Sequence, residues 1–234
     1  MVYKWIDCIQ SHLPERCLLC GARSRAAHGG GLDLCSDCRD DLPRVQRPCS
    51  RCGEPLASGD LCGHCQRQPP PYQRTLAPWL YAPPLDGLIL QLKTPAALAP
   101  ARTLGRLLAR QLRSAGAELP DLLIPVPLHR QRLRERGFNQ AALLTRQLAA
   151  ELALPWRADL LGKVRESADQ RVLDRRQRRR NLRDCFVCRP LATGCHVALV
   201  DDVVTTGATA WAATDALRRA GAGRVDVWAL ARTP

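Results

Sequence analysis

The sequence is poor in lysine and in aromatic residues, and it contains no long apolar run. Of its 35 basic residues, only Lys4, Lys93 and Lys163 are lysines, and aromatic side chains make up 4% of the 234 residues. No stretch approaches the roughly 18 apolar residues of a membrane-spanning helix. The first residues, 1–7, also lack the apolar centre of a secretion signal. We therefore expect a cytoplasmic protein that offers few aromatic platforms for stacking nucleic-acid bases.

Acidic residues are scarce relative to basic ones, with 22 against 35 and a formal net charge of +13. Sixteen basic and seven acidic residues lie between Arg130 and Arg189, so most of the excess charge is concentrated in that quarter of the chain. The guanidinium group binds phosphate through two parallel hydrogen bonds, which favours a nucleotide or a nucleic-acid strand as the ligand. A solvated basic surface without a ligand is the alternative interpretation.

Two common nucleotide-binding motifs are missing. The Gly162-Lys163 pair is followed by Val164, and Arg157 stands where the first glycine of a hydrolase phosphate loop belongs. Gly221-Ala-Gly223 follows a predicted helix and precedes a predicted strand, which is the reverse of a dinucleotide-binding turn. The sequence thus argues against a phosphate-loop hydrolase and against a dinucleotide enzyme.

Cysteine, in contrast, is abundant, with twelve residues. In a cytoplasmic protein such cysteines are more often metal ligands than disulfide partners. Eight of them form four C-x-x-C pairs, namely Cys17/Cys20, Cys35/Cys38, Cys49/Cys52 and Cys62/Cys65. Two such pairs complete a tetrahedral site, so the four pairs predict two structural zinc ions. We favour pairing in chain order, although spacing alone also allows interleaved pairs, and a redox role is disfavoured because redox pairs occur singly.

A run of prolines, Pro69-Pro-Pro71, forms a stiff spacer after the last cysteine pair. It predicts a zinc-ribbon domain over residues 1–70 and a second domain over residues 71–234. The ribbon has few apolar residues, so bound metal would supply its folding energy. Cys185, Cys188 and Cys195 lack a fourth ligand, and we expect them to be small core residues.

The most informative stretch of the chain runs from Val197 to Thr209. Val197-Ala-Leu-Val200 has no polar alternation, which predicts a strand buried on both faces of a parallel sheet, and residues 210–220 are predicted to form a helix. The linking residues are Asp201, Asp202, Val203, Val204, Thr205, Thr206, Gly207, Ala208 and Thr209. A helix N-terminus with hydroxyl groups can hold a phosphate, whereas carboxylates accept hydrogen bonds from vicinal sugar hydroxyls. Helix capping by a threonine is the alternative interpretation.

The rest of the second domain alternates between predicted strands and helices. Strands are predicted over residues 79–81, 121–126, 156–161 and 225–230, and helices over 85–93, around Leu104 to Leu112, and over 139–152. Residues 125–140 are predicted to form a loop with arginine at every second position from Arg130 to Arg136. The alternation predicts an α/β fold, a twisted parallel sheet with helices on both faces.

The stretch from Val197 to Thr209 resembles the phosphoribosyl-pyrophosphate (PRPP) motif of type I phosphoribosyltransferases. The Pro125-Val-Pro-Leu-His129 segment, the arginines after it, Arg136-Gly-Phe-Asn-Gln140 and the cysteine pairs extend the similarity over nearly the whole chain, to the ComF competence-protein family. The resemblance implies a type I phosphoribosyltransferase-like sheet preceded by a small zinc-ribbon domain. It also implies PRPP and magnesium as ligands.

Individual roles follow from the same resemblance. Asp201 and Asp202 would hold the ribose hydroxyls, and the turn after them would hold the 5′-phosphate. Pyrophosphate would be bound by Arg130, Arg132, Arg134 and Arg136, and a loop that carries Arg165 and Gln170 would close over PRPP. The implied PRPP-binding set is therefore residues 201–209 with Arg130, Arg134, Arg136 and Gln170. The implied catalytic residues are Asp201, Asp202 and Arg165.

Three positions depart from the family's pattern. Ser167 replaces a threonine, and residues 94–97 lack the aromatic residue and glycine expected after Lys93, so the resemblance assigns Lys93 no role. Thr205 replaces the aspartate that takes a proton from the base in purine-salvage relatives, which disfavours a 6-oxopurine acceptor. We expect phosphoribosyl transfer to an unidentified acceptor. The alternative is a non-catalytic protein of DNA uptake that binds single strands through Arg130–Arg136 and Arg171–Arg183.

Overall fold

The computed structural model describes residues 16–23, 32–165 and 185–234. Ser167, Gln170 and the arginine-rich stretch from Arg171 to Arg183 lie outside the described residues. The chain divides into two compact units, Met1–Leu42 and Pro43–Pro234. The second cysteine cluster therefore belongs to the same unit as the sheet, whereas the domain boundary at residue 70 stays a prediction.

Helices and strands follow one another in the expected alternating order. In the first unit, helix α1 spans Ser36–Asp40. The second unit contains β1 (Thr75–Leu76), β2 (Trp79–Leu80), β3 (Leu122–Pro125), β4 (Leu161–Lys163), β5 (Phe186–Cys188), β6 (His196–Val204) and β7 (Arg224–Arg232). Its helices are α2 (Gly63–Arg67), α3 (Leu85–Gln91), α4 (Leu98–Ser114), α5 (Arg130–Arg136), α6 (Gln140–Leu152) and α7 (Ala208–Arg219). No helix among the described residues is long and apolar enough to cross a membrane.

The main sheet is parallel and has β6 and β7 at its centre. The strand order is β1-β7-β6-β3, with β2 also paired to β7. The register sets Val200 opposite Pro125 on one side and opposite Trp228 on the other. All carboxyl ends of the main-sheet strands therefore lie along one edge, which is the edge where open α/β sheets bind ligands. Strands β4 and β5 form a separate antiparallel pair.

Both faces of the sheet are covered, as the predicted fold class requires. Val197 and Leu199 of β6 pack in one core cluster with Ala213 and Leu217 of α7. Ala198 and Val200 are fully buried as well but lie outside that cluster. Because side chains alternate between the faces of a strand, this division places helices on both sides. The uninterrupted apolar run of β6 is thus explained by burial on two faces.

Helices α4 and α6 pack closely against each other. The four predicted leucines of α4, Leu104, Leu107, Leu108 and Leu112, are all buried. Gly105 lies at the closest approach, where an added Cβ would be 2.5 Å from Cβ of Gln147. A side chain at this position would push the two helices apart.

Three local expectations differ from the structure. The arginines from Arg130 to Arg136 are on a helix, α5, and not on an extended loop. The strand predicted over residues 156–161 is reduced to an isolated bridge at Trp156, and β4 begins only at Leu161. Strand β6 continues past the two acids to Val204, because Asp201, Val203 and Val204 are still paired with β7.

Candidate functional site

The acidic pair lies at the carboxyl end of the central strand β6. Asp202 is 6% exposed, and Asp201 is partly exposed as a whole residue, although its carboxyl group is buried. The backbone N–H of Asp202 donates to Oδ1 of Asp201 over 2.9 Å. The two acids are consecutive at the carboxyl end of the strand, and their carboxyl groups lie close enough to interact with each other. Both can therefore address a ligand that lies across the end of the strand.

A lysine compensates part of this negative charge. Nζ of Lys93, two residues beyond α3, is 3.2 Å from Oδ2 of Asp202. Burial and the neighbouring Asp202 carboxylate raise the pKa of Asp201 well above its usual range, and the charge of Lys93 acts in the opposite direction. Oδ2 of Asp202 accepts no hydrogen bond within the described chain, apart from this ion pair. A buried carboxylate oxygen in this state is available to a donor on a ligand.

The turn after β6 leads directly into the N-terminus of α7. Gly207 precedes α7 with φ of 74°, a left-handed conformation that favours glycine. Oγ1 of Thr206 accepts from the N–H of Ala208 at 3.4 Å, and the Gly207 carbonyl accepts from the N–H of Trp211 at 2.8 Å. The first N–H groups of a helix have no partner inside the helix, so this end of α7 favours an anion.

The segment after β3 leaves the sheet beside the acids. The N–H of Val126 donates to the carbonyl of Val200 at 2.8 Å, one residue before Asp201. Asn139 then fixes the start of α6, because its side chain donates to the Val126 carbonyl at 3.0 Å and accepts from the N–H of Ala141. Strand pairing and one asparagine therefore fix the two segments that flank α5, namely the exit from β3 and the start of α6.

Helix α5 changes how its arginines are presented. Residues four apart share a helix face, so Arg130 lies with Arg134, and Arg132 lies with Arg136. Arg130 and Arg134 are exposed, whereas Arg136 is partly buried and donates to Oε1 of Gln140 over 2.6 Å. The described residues show no hydrogen bond or ion pair that joins Arg130 or Arg134 to the turn at residues 205–209. The structure thus brings the acids and the turn together, and it leaves a pyrophosphate role for these arginines as a prediction.

A cavity adjoins the start of α5. It has a volume of about 740 Å³ and lies between the segment from Pro127 to Leu133 and the β4–β5 pair. Arg130, Lys163 and Arg189 contribute positive charge to it. Asp159 lies beside the Arg157 guanidinium, at 2.7 Å, which holds the pKa of that carboxyl down at about 2. Three basic groups against one carboxylate give the cavity a net positive lining. Arg165, two residues beyond β4, is exposed.

The eight paired cysteines form two clusters, each with its four ligand atoms within 4.8 Å of one another. The first cluster is Cys17, Cys20, Cys35 and Cys38, and the second is Cys49, Cys52, Cys62 and Cys65. This confirms pairing in chain order. The sulfurs of Cys52 and Cys62 are 3.7 Å apart, close to the roughly 3.8 Å that tetrahedral zinc–thiolate bonds of about 2.3 Å require. Gly21 and Gly53, which follow Cys20 and Cys52, both have φ of 71° and allow the tight turns at these ligands.

Acidity within the clusters suits a divalent metal. Burial raises the pKa of Cys49, but hydrogen bonds from the backbone of Cys52 and Cys62 outweigh it and lower the pKa to about 7. Burial and the neighbouring cysteines raise the pKa of Cys65 instead. One thiolate thus forms readily, and its negative charge opposes ionisation of the others. A divalent cation removes that opposition, so the donor set fits structural zinc.

The second cluster is in direct contact with the phosphate-type turn through residues that sequence reasoning missed. Arg232 of β7 is 3% exposed, and its Nε donates to the carbonyl of Cys52 at 3.2 Å. Its Nη1 donates to the carbonyl of Val204 at 3.1 Å. Tyr72 lies over Gly207, where an added Cβ would be 3.1 Å from the phenol oxygen. No sequence signal marked Arg232 or Tyr72, because each acts through contacts with residues far away in the chain.

Comparison with known proteins places these features in a family. The double zinc ribbon family model matches residues 8–66. Over 226 residues the chain is 39% identical to the DNA utilization protein YhgH of Salmonella typhimurium, covering 94% of this chain and 98% of the relative. Over 225 residues it is 36% identical to competence protein F of Haemophilus influenzae, covering 93% and 96%. The chain belongs to the ComF competence-protein family.

Solved structures similar to this ComF-family chain include a purine phosphoribosyltransferase from Pyrococcus horikoshii. That structure has a TM-score of 0.37 and 20% identity, and the match covers 56% of this chain and 72% of that one. A second similar structure is TT1426 from Thermus thermophilus, with a TM-score of 0.35, 21% identity, and coverage of 57% and 83%. The relatives confirm the family resemblance drawn from the sequence, and the structure itself confirms the parallel sheet and the preceding cysteine clusters.

Proposed function

We propose that this ComF-family chain binds PRPP with magnesium at the carboxyl end of β6 and transfers its phosphoribosyl group to an acceptor. The observation that supports this most directly is the succession of Asp201, Asp202 and the Gly207 turn at one point of the sheet edge. The acids offer acceptors for two ribose hydroxyls, and the N-terminus of α7 offers donors for the 5′-phosphate. The donors and acceptors of the site would thus match those of the ligand.

Each group in the site has a defined task in this proposal. Lys93 holds the Asp202 carboxylate in place, so that its ribose partner is fixed relative to the turn. Arg130 and Arg134, on one face of α5, would attract the pyrophosphate as its bond to the ribose carbon breaks, and Arg165 would approach from the other side. Magnesium, when bound with PRPP, neutralises charge on the leaving pyrophosphate. Thr205 offers no carboxylate to take a proton from the acceptor, which argues against 6-oxopurines.

Calorimetry with magnesium and PRPP tests the binding step. We expect Asp201→Asn with Asp202→Asn to weaken binding at least tenfold, since two charge-assisted hydrogen bonds to the ribose are lost. Asp86→Asn is the control, because it removes one carboxylate elsewhere and retains the acceptor for the N–H of Gly87. Equal affinity of the double variant and the parent would overturn the proposed site.

The transfer step has a separate test. The full chain is mixed with magnesium and PRPP, and pyrophosphate release is followed while nucleobases and fractions of a cell extract are added. Release that requires an added fraction, and that disappears in the Asp201 and Asp202 variant, would support catalysis. If PRPP binds and no fraction causes release, the site is a sensor of PRPP and not a transferase.

A second candidate function is binding of single-stranded nucleic acid without catalysis. Helix α5 supports it, because three of its seven residues are exposed arginines, namely Arg130, Arg132 and Arg134. The names of the relatives, which refer to DNA utilization and competence, are compatible with it. Aromatic side chains are few, so phosphate contacts would provide most of the affinity and sequence preference would be weak.

Salt dependence distinguishes this candidate. Replacing Arg130, Arg132 and Arg134 with serine should flatten the slope of log affinity against log salt by about 0.7 for each phosphate contact removed. Serine at the exposed Arg146, Arg218 and Arg219 removes the same charge elsewhere and should leave the slope nearly unchanged. Equal slopes for the two triple variants would show that α5 is an ordinary solvated surface.

A further inference from the structure

The second cysteine cluster and the turn at residues 205–209, called the phosphate turn below, are packed together in one compact unit. The gap between them has a volume of only about 10 Å³ and is lined by Cys52 and Cys65 on one side and by Thr206, Gly207 and Trp211 on the other. A gap of this size holds no more than one water molecule. The cluster and the turn are therefore close enough to be coupled through the side chains that line the gap.

Arg232 bridges the cluster and the turn by hydrogen bonds. Its guanidinium donates to the carbonyl of Cys52, inside the metal-binding turn, and to the carbonyl of Val204, the last residue of β6. Its Nη2 is also 3.6 Å from a carboxylate oxygen of Glu54. Because the side chain is 3% exposed, water does not substitute for these partners. One planar group thus fixes the distance between the cysteine turn and the start of the phosphate turn.

Tyr72 provides a second connection. It is 2% exposed, and it belongs to the segment that leads from the cysteine cluster to β1. Its phenol oxygen occupies the space that a side chain at Gly207 would need. Tyr72 consequently contacts the left-handed turn at Gly207, while Arg232 bonds to the residue at which β6 ends, Val204.

We propose that Arg232 and Tyr72 are positioning residues that make the shape of the turn at residues 205–209 depend on metal at the second cysteine cluster. With metal bound, the Cys52 carbonyl is fixed and holds the Arg232 fork, which in turn holds Val204. Without metal nothing holds the four cysteine side chains together, the fork loses one fixed anchor, and the turn loosens. The first cluster, in the other compact unit, has no part in this effect. For phosphate binding the inference rests on the proposed function, whereas the coupling itself does not.

Hydrogen–deuterium exchange of the full chain measures the coupling without any ligand. In Cys62→Ser with Cys65→Ser, backbone amides of residues 203–212 should exchange about tenfold faster or more. In Cys35→Ser with Cys38→Ser, which disables the first cluster, exchange in residues 203–212 should stay at the parent rate. Unchanged exchange in the second-cluster variant, or equal increases in both, would contradict the proposal.

Variants of Arg232 keep the inference testable if the cysteine variant unfolds the whole unit. Arg232→Met retains the aliphatic stem, and Arg232→Lys retains the charge but cannot donate along two fixed directions. Both should keep two zinc ions per chain by metal analysis and still raise exchange in residues 203–212. Arg219→Met, at the exposed far end of α7, is the control and should have no effect there. Slow exchange in both Arg232 variants would refute the positioning role.

Calorimetry with magnesium and PRPP then extends the test to the ligand. If the parent binds PRPP, both Arg232 variants should bind it about tenfold more weakly or worse, consistent with the loss of charged hydrogen bonds that hold the turn. If the parent does not bind PRPP at all, the proposed function fails, and the exchange data alone decide the coupling. Unchanged PRPP affinity in variants that exchange faster would limit the coupling to the backbone and overturn its role in binding.

Discussion

At the scale of single residues, Asp201 is held in an environment that disfavours its own charge. Burial and the Asp202 carboxylate raise its pKa in the folded protein, while the unfolded chain has the ordinary value of about 3.9. The folded state therefore binds a proton more tightly than the unfolded state. This group favours folding most at low pH, and that contribution is lost as pH rises from the ordinary value through the raised one. Such an unfavourable charge is typical of residues kept for binding.

Replacing this residue should separate stability from binding. At neutral pH we expect Asp201→Asn to raise the melting temperature by a few degrees, since an unfavourable charge is removed. Below pH 4 the gain should shrink, because the parent side chain is then protonated in both states. Thermal melts across this pH range, with Asp86→Asn as the control, provide the measurement. A lower melting temperature at neutral pH would show that the Asp201 charge stabilises the fold.

The residues found from the sequence and those missed differ in how far apart their partners lie. Asp201, Asp202 and the cysteine pairs act within a few positions of one another, so spacing was enough to find them. Arg232 contacts Cys52 and Val204, and Lys93 contacts Asp202, so both depend on contacts between distant parts of the chain that no local pattern records. For Lys93 the departures at residues 94–97 pointed away from a role, although the ion pair with Asp202 places it in the site.

At the scale of elements, the close contact between α4 and α6 depends on one position without a side chain. Gly105→Ala would place a Cβ 2.5 Å from that of Gln147, so the helices would have to separate, at a cost of about 1–3 kcal/mol in the free energy of unfolding. Gly87→Ala, on α3, meets nothing within 4 Å and should be neutral or stabilising, because alanine favours helix more than glycine. Urea unfolding of both variants would check this, and equal effects would contradict it.

Helix α5 shows why one element was wrongly predicted. The alternation of arginine from Arg130 to Arg136 has the period of an extended chain, but none of these side chains is buried, so the alternation carries no packing information. Arginine is a good helix former, and Gly137 ends the helix with φ of 81°. In β6 the uninterrupted apolar run was informative, because both faces of that strand are buried. Its true end at Val204 depended on pairing with β7, which the apolar run does not show.

At the scale of the whole molecule, the two cysteine clusters should act as separate metal sites in separate units. Metal analysis of the full chain, purified under reducing and chelator-free conditions, should give two zinc ions per chain. Cys35→Ser with Cys38→Ser should leave one zinc ion and the fold of residues 43–234, measured by circular dichroism. A content of one or none in the parent would contradict the assignment of both clusters.

The fold class and the cluster pairing were predictable at this scale, because each rests on a repeated local pattern. The grouping of the second cluster with the sheet was less so, since a proline run at residues 69–71 is typical of a linker. Here the chain after those prolines returns at once to the sheet, with Gln73 donating to the carbonyl of Val225 at 2.8 Å. Because the residues after the prolines are hydrogen-bonded to β7, the proline run joins the second cysteine cluster to the sheet and does not separate the two.

The pairing of β1 and β2 with β7 has a consequence for biosynthesis. Thr75 lies opposite Val227 and Trp79 opposite Ala231, so each pair joins residues about 150 positions apart. After β1 has emerged from the ribosome, β3, β6 and α7 must still be synthesised before its partner strand, β7, emerges. During that interval the early strands have no sheet to join, and such late-closing topologies fold slowly and expose apolar surface to aggregation. Newly made chains should therefore depend on chaperones until β7 inserts between β1 and β6.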